Sequence, residues 1–416
     1  MDNSYNIWNK WSKLETVMLG RCYPTSFFND IKNKRIRDSL MRITEETTED
    51  LDYFDKVLRD FGCKVLRPKI DPNANIMDYI DDQGRCFGPQ GVPRSPLQPR
   101  DCQLVIGNNL YYTSYDHPGI KQELDEYNQR DTIGLFARSR DDLKLAPKMS
   151  EEAFNILSGS DWKAYQDYVS DHYFDNMPQR IIDEFCALGL PIFDIPNFAP
   201  NITVIGKDIY IDQHREGINV ETMIRSSESS LSLFKKKLKG DFRLNSLTIG
   251  GHNDGCFHTI KPGAIISLVN IQEYANTFPD WDVCYFPEQG WRALKGFVEM
   301  RGKVGGKWWI PGEEDNDELT NFVETWLKDW IGYVEETVFD VNVLVLDEHH
   351  VCVSNINPTI VEFLKKHRME PIHVPWRHRF FWDGGLHCIT LDLKRKGIQE
   401  DYFPNRIDPI TDWGLD

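Results

Sequence analysis

The chain has 416 residues, 40% of them hydrophobic and 27% charged, with a formal net charge of -17. That is enough apolar material for a large core, and it excludes global disorder. So acidic a chain repels phosphate backbones, which excludes nucleic acid as the expected partner and suits a cationic small substrate.

The first residues, MDNSYNIWNKWSKLETVMLG, lack a basic region followed by an apolar run and do not read as a signal peptide. No segment approaches the length of a membrane span, so no membrane partner is expected. The nine cysteines are an odd number scattered without CxxC pairs. They read as reduced thiols of a cytoplasmic protein, not as a disulfide framework.

Strand and helix signals alternate along the chain. A β-rich run at Leu14–Leu19 precedes a helical pattern at Glu45–Phe61 and a short strand at Cys63–Leu66. Gln103–Thr113 reads as strand, Pro178–Leu188 as helix opening on proline, and Ile202–Asp212 and Ala264–Val269 as strand. Asn316–Ile331 reads as helix, and Val343–Ser354 as strand. A helix at Pro358–Lys366 starts behind Asn357, and a last strand spans Cys388–Leu393.

VIGNNLY (Val105–Tyr111) and VIGKDIY (Val204–Tyr210) share one pattern, a strand, a turn opening on glycine and a returning strand. IKPGAIIS (Ile260–Ser267) and VLDEHHVCVS (Val345–Ser354) are looser copies. Hairpins recurring between helical segments suggest a repeated ββα-type module, although glycine hairpins are also common on their own.

Polar residues stand just upstream of these hairpins: Asp101, Asn201, then His252 and Asp254, with Cys388 opening the last strand. Strand ends are rigid places to build catalytic geometry. Taken singly, each has a plain structural reading: turn caps for Asp101 and Asn201, a loop histidine for His252, a core thiol for Cys388. Taken together they describe one chemistry. A thiolate attacks an electron-poor carbon, a histidine shuttles protons, and a third group orients the histidine. Two carboxylates grip a planar cation by two-pronged hydrogen bonds, the geometry a guanidinium demands.

Other motifs fail. GKVGGKWW (Gly302–Trp309) is one residue short of a phosphate loop and has tryptophan where a hydroxyl should hold magnesium. His349 and His350 are neighbours at a hairpin tip and point opposite ways, so no metal is expected there. His378 reads as packing.

Several stretches resemble glycine amidinotransferase-type enzymes of the guanidino-group-modifying (pentein) superfamily. They are WNKWSKLETVMLG, PRDCQLVIGNNLYY, GKDIYID, HNDGCF, NVLVLDE and GGLHCITLDLKRKG, in order along most of the chain. The resemblance implies one catalytic domain over 1–416, an α/β five-bladed, pseudo-fivefold propeller of ββαβ modules around a central active-site channel. It implies that Cys388 carries the amidino group covalently, that His252 is general acid and base, and that Asp101 and Asp254 bind the guanidinium. The reaction implied is ping-pong, from L-arginine or a similar donor to an amine such as glycine, giving ornithine and guanidinoacetate. No cofactor is implied, and a homodimer is common in the family.

Two positions depart from that pattern. Asn201 stands where the family's aspartate partners the catalytic histidine; an amide orients an imidazole but gives it no charge. Ile271 falls where an arginine holds the substrate carboxylate. The region 303–338 is longer than the family leads one to expect and contains four tryptophans, read either as an entrance lining or as apolar anchors of a surface helix. A hydrolase of the same superfamily, taking arginine to citrulline, is the alternative activity. A guanidinium-binding protein without catalysis is the third reading.

Overall fold

The computed structural model describes residues 4–80, 92, 94–113, 117–128, 199–212, 234–235, 238–247, 252–268, 274–285, 312–313, 315–327, 330, 340–407 and 409. Among the described residues the strands sort into five small sheets. In the first, β1 (Leu14–Leu19) runs parallel to β2 (Lys64–Leu66) on one side and antiparallel to β14 (Thr390–Arg395) on the other. The second is the hairpin of β3 (Gln103–Ile106) and β4 (Asn109–Tyr112). The third joins β5 (Ile202–Ile205) and β6 (Asp208–Asp212) antiparallel, with β7 (Arg243–Leu247) parallel to β6.

The last two sheets repeat that order. β8 (Phe257–Lys261) and β9 (Ala264–Ser267) form a hairpin flanked in parallel by β10 (Asp282–Tyr285). β11 (Leu344–Val345) and β12 (His350–Val353) are flanked in parallel by β13 (Glu370–His373). A parallel neighbour needs a crossover, and helices supply it. These are α1 (Lys34–Asp60) between β1 and β2, α4 (Tyr274–Thr277) between β9 and β10, and α6 (Pro358–Lys366) between β12 and β13. The remaining helices are α2 (Pro118–Tyr127), α3 (Asn253–Cys256), α5 (Asp317–Trp326) and α7 (Arg379–Trp382).

The repeated hairpin is therefore the building unit of an α/β fold with mixed sheets. Its turn chemistry is visible in the first two copies. Gly107 (φ 57°) and Gly206 (φ 62°) each take the first central position of a two-residue turn, where a positive φ excludes most side chains. The strands that lead into these turns, QLVI and ITVI, are buried at every residue.

Helix α1 starts at Lys34, not at Glu45. Asn33 caps it by accepting from the Arg35 and Ile36 amides, at 3.0 and 3.3 Å. The buried stripe Ile36, Leu40, Ile43, Leu51, Phe54 and Leu58 already keeps helical spacing from that point. Helix α6 agrees with expectation behind Asn357, and α5 starts behind Asn316 as expected but ends at Trp326, short of Ile331. The helix expected at Pro178–Leu188 lies outside the described residues, as do Ile271 and Trp308 and Trp309 of the long region. Of its other two tryptophans, Trp326 packs half-buried on the core, and Trp330 is buried, 6.0 Å from Trp382 ring to ring, donating to the Val92 carbonyl. Both are anchors in the core, which answers the entrance reading for these two.

The closure of β1 on β14 is locked by buried charge. Arg395, 1% exposed, donates to Asp392 at 2.8 Å and to the carbonyls of Ser12 and Val345, each at 2.7 Å. Arg100 holds the other oxygen of Asp392 at 3.1 Å. Arg395→Met is expected to cost about 3–5 kcal/mol in urea unfolding, because it strands part of a buried charge. A loss under about 1 kcal/mol would show that the closure rests on apolar packing.

Candidate active site

Cys388 does not open β14. It lies in the turn between α7 and β14, two residues before the strand, and is 5% exposed. Asp383 ends α7 in the left-handed region at φ 47°, and Gln98 donates to the carbonyls of Trp382 and Asp383 at 2.8 and 3.0 Å. Arg100 donates to the carbonyls of His387 and Thr390 at 2.8 and 3.0 Å. The turn that carries the sulfur is thus gripped at both ends.

The centre of the grip is Asn342, two residues before β11. Its Oδ1 accepts from the backbone amides of His387 (2.9 Å) and Cys388 (3.0 Å). Its Nδ2 donates to the Asp254 carbonyl and to the Cys388 Sγ, each at 3.1 Å. Every donor and acceptor of the amide is used. The approach is so close that a Cβ on Gly385 would lie 2.6 Å from both Cβ and Oδ1 of Asn342. One on Gly384 would meet Gln98 Nε2 at 2.4 Å. The paired glycines are there because the clasp leaves no room for a side chain.

Asp254 sits in α3, whose N-cap is His252. Its Oδ2 lies 3.7 Å from the Cys388 sulfur and 2.7 Å from His387 Nδ1. Asp101, 16% exposed, is 3.6 Å from Arg94, and its charge acts on Cys388. Asp101 in turn feels the charges of His252 and Asp254. Asn201 is fully buried at the start of β5, and Asn253 donates to its carbonyl at 2.9 Å. Asn253 is the next residue after His252, so this bond ties the Asn201 turn to the start of α3. The structure thus brings Cys388, Asp254 and Asp101 together and seats His252 and Asn201 on the adjoining segments.

Three neighbours were not singled out in the sequence: Asn342, His387 and Lys10. Asn342 had a signal. It precedes β11 as Asp101 precedes β3, Asn201 precedes β5, Asp254 precedes β8 and Cys388 precedes β14. Each of the five sheets thus has one such residue just ahead of a strand.

Burial pushes the Cys388 thiol well above its ordinary range, and the negative charges of Asp254 and Asp101 push it further, against the Asn342 hydrogen bond. Burial and the Asp254 charge also raise the Asp101 carboxyl, against the pull of Arg94 and His252. A buried thiol beside two acids, of which Asp101 has Arg94 at 3.6 Å, is an arrangement that can hold a planar cation against a sulfur.

No family model matches the chain. By overall shape, an amidinotransferase of the saxitoxin biosynthetic pathway from Microseira wollei aligns over 96% of this chain and 100% of its own, with a TM-score of 0.56 and 18% identity. An inosamine-phosphate amidinotransferase from Streptomyces griseus aligns over 96% and 99%, with a TM-score of 0.52 and 16% identity. These share the fold. By sequence, the mitochondrial glycine amidinotransferase of Danio rerio is 36% identical over 424 residues, 95% of this chain and 84% of that protein.

The chain belongs to the amidinotransferases of the pentein superfamily.

As an amidinotransferase it is a transferase, and amidino-group transfer is its general chemistry. A second relative, the L-arginine:L-lysine amidinotransferase of Pseudomonas savastanoi pv. phaseolicola, is 22% identical over 428 residues, 95% of each chain. Among the described residues of this amidinotransferase, no helix is long and apolar enough to cross a membrane.

The raised thiol has a direct readout. Iodoacetamide alkylation of Cys388, followed peptide by peptide, is expected to be slow at pH 7 and to climb with pH past the ordinary thiol value of about 8.5. Asp101→Asn removes one negative charge, so it is expected to speed alkylation severalfold at pH 8. A rate already level at pH 7 would show that the resting sulfur is a thiolate.

Proposed function

We propose that this enzyme moves an amidino group from L-arginine, or a similar guanidine donor, to a small amine such as glycine. The group is carried covalently on Cys388, and ornithine leaves when arginine is the donor. The observation that carries the reading is the Cys388 sulfur 3.7 Å from Asp254, with the Asp101 charge acting on the same sulfur. The names of the relatives supply the donor and two candidate acceptors, glycine and lysine.

The chemistry follows from the charges. A guanidinium bound between Asp101 and Asp254 cancels the two charges that hold the thiol protonated. Substrate binding therefore lowers the thiol pKa at the moment the sulfur is needed. His252 takes the thiol proton as sulfur bonds to the guanidinium carbon, and returns it to the departing amine as the carbon–nitrogen bond breaks. The carbon is left on sulfur as a thiouronium. In the second half the acceptor amine attacks that carbon, His252 takes the proton it sheds, and the carbon–sulfur bond breaks. The Asn342 amide N–H favours the thiolate in both halves. Asn201 orients His252 without adding charge.

We infer in addition that the five sheets are blades of a pseudo-fivefold propeller around this site. Support comes from the repeated hairpin and parallel third strand, with one polar residue just ahead of a strand in each sheet. The chain then forms a single catalytic domain, with region 303–338 an insertion upon it. The seven described cysteines are all free thiols, which supports a cytoplasmic location.

The test is incubation with L-arginine, alone and with glycine, L-lysine and a panel of amines, with mass spectrometry of small molecules and intact protein. Ornithine formed only with an acceptor, and an amidino adduct on Cys388 without one, is the expected result. Citrulline formed without acceptor would make the enzyme a hydrolase instead. Cys388→Ala is expected to lose turnover by at least about 10⁴-fold while keeping the fold; a variant that still turned over would end the covalent scheme.

Asn201→Asp tests the partner of His252. Activity is expected to hold or rise, because an imidazolium gains a counter-charge. A fall of about 100-fold would assign that role to another group.

A further inference from the structure

Behind the carboxylate of Asp254 lies a second layer of titratable groups that the proposed chemistry does not use. His387 is buried, with Nδ1 2.7 Å from Asp254 Oδ2 and Nε2 3.3 Å from Lys10 Nζ. A small, partly open pocket touches Lys10, Arg100, Asp254, His258, His387 and Asp392, and Cys388 does not line it. The second oxygen of Asp254, Oδ1, has no hydrogen-bond partner among the described residues.

We propose that Lys10 and His387 form a buried relay that positions Asp254 for the guanidinium. Lys10 donates to His387 Nε2, which fixes the imidazole as the neutral Nδ1–H form. That proton is then donated to Asp254 Oδ2, and Oδ1 is left free for the substrate. The inference rests on the reading of Asp254 as a guanidinium-binding residue.

Geometry and charge agree on this. An ionised carboxylate only accepts, so the proton between it and His387 belongs to Nδ1. A bare Nε2 then needs a donor, and Lys10 is the group in reach. His387 is held neutral by burial, reinforced by the positive charges of Arg100, Lys10, His258 and Arg395. Lys10 is itself lowered to about 7 by burial and by Arg100, while Asp392 and Asp254 pull the other way and Arg395 adds to the lowering. The His258 ring stands edge-on to His387 with centroids 4.7 Å apart, and its Nε2 has no partner among the described residues. His258 therefore does not compete for either nitrogen of His387. The relay also explains why a histidine precedes the nucleophile. Asn342 fixes the backbone amides of residues 387 and 388 together, so the ring and the sulfur meet Asp254 from one turn.

Two measurements decide it. Long-range proton–nitrogen spectra of histidine-labelled enzyme report the tautomer of His387, whose signals are identified by their loss in His387→Asn. The Nδ1–H form is expected at pH 6 without substrate, and an Nε2–H form would overturn the relay. This readout does not depend on the reaction, so a relay seen in an enzyme that ignores arginine would sink the functional reading alone.

The second readout is the split between KM and kcat for L-arginine at saturating acceptor. His387→Asn keeps an N–H near the Nδ1 position and is expected to stay within threefold of wild type in KM. His387→Gln puts its amide near Nε2 instead and is expected to raise KM at least tenfold. Lys10→Met keeps the apolar stem but no donor, and is expected to raise KM at least fivefold with a smaller change in kcat. Equal KM values in the Asn and Gln variants would reduce His387 to packing and overturn the proposal.

Discussion

The site depends on one side-chain amide. Asn342 spends its two lone pairs on the backbone of the Cys388 turn, and its two protons on the sulfur and on the chain that carries Asp254. The segments leading into β8, β11 and β14 are tied at a single point. Gly385 leaves room for Asn342, and Gly384 leaves room for Gln98. Fixed geometry of this kind is what lets a poorly electrophilic guanidinium carbon be held over a sulfur.

The charges are arranged in layers around that point. Nearest the sulfur are acids, Asp254 and Asp101, which make the resting thiol hard to ionise. Behind them stand Lys10, Arg100 and Arg395, with Asp392 held well below the usual carboxylate range by the two arginines despite its burial. The outer layer of cations offsets the cost of burying acids in the inner one. Toward Asp101 and the sulfur stands Arg94, 3.6 Å from Asp101, and in the proposed scheme a cationic substrate adds the remaining positive charge there.

Much of this was legible in the residues. The hairpin echo of VIGNNLY and VIGKDIY marks the unit found in four of the five sheets, and the rule that polar residues stand upstream of hairpins finds Asp101, Asn201 and Asp254, while Cys388 stands ahead of the last strand. Applied to β11 it also finds Asn342, which a sequence hides as an ordinary polar residue before a strand. Lys10 and His387 could not be found that way. Their meaning comes from pairing across 377 positions, which no local pattern records. The start of α1 was missed because its polar first turns mask an apolar stripe of the right period. Cys388 was placed on the strand because its apolar followers look the same in a turn and in a ladder.

The first sheet has a consequence for how the protein comes into being. Leu14 pairs with Arg395, and the sulfur's turn hangs from the strand that completes this pairing. During synthesis β1 emerges long before β14 and waits, one edge open, for that partner. The nascent chain thus carries an unpaired strand edge, a hazard for association with its neighbours. It also lacks the assembled Cys388 turn. The Cys388 sulfur is set in place by the same event that closes the fold, so under the proposed scheme partly made or partly folded chains have no working site.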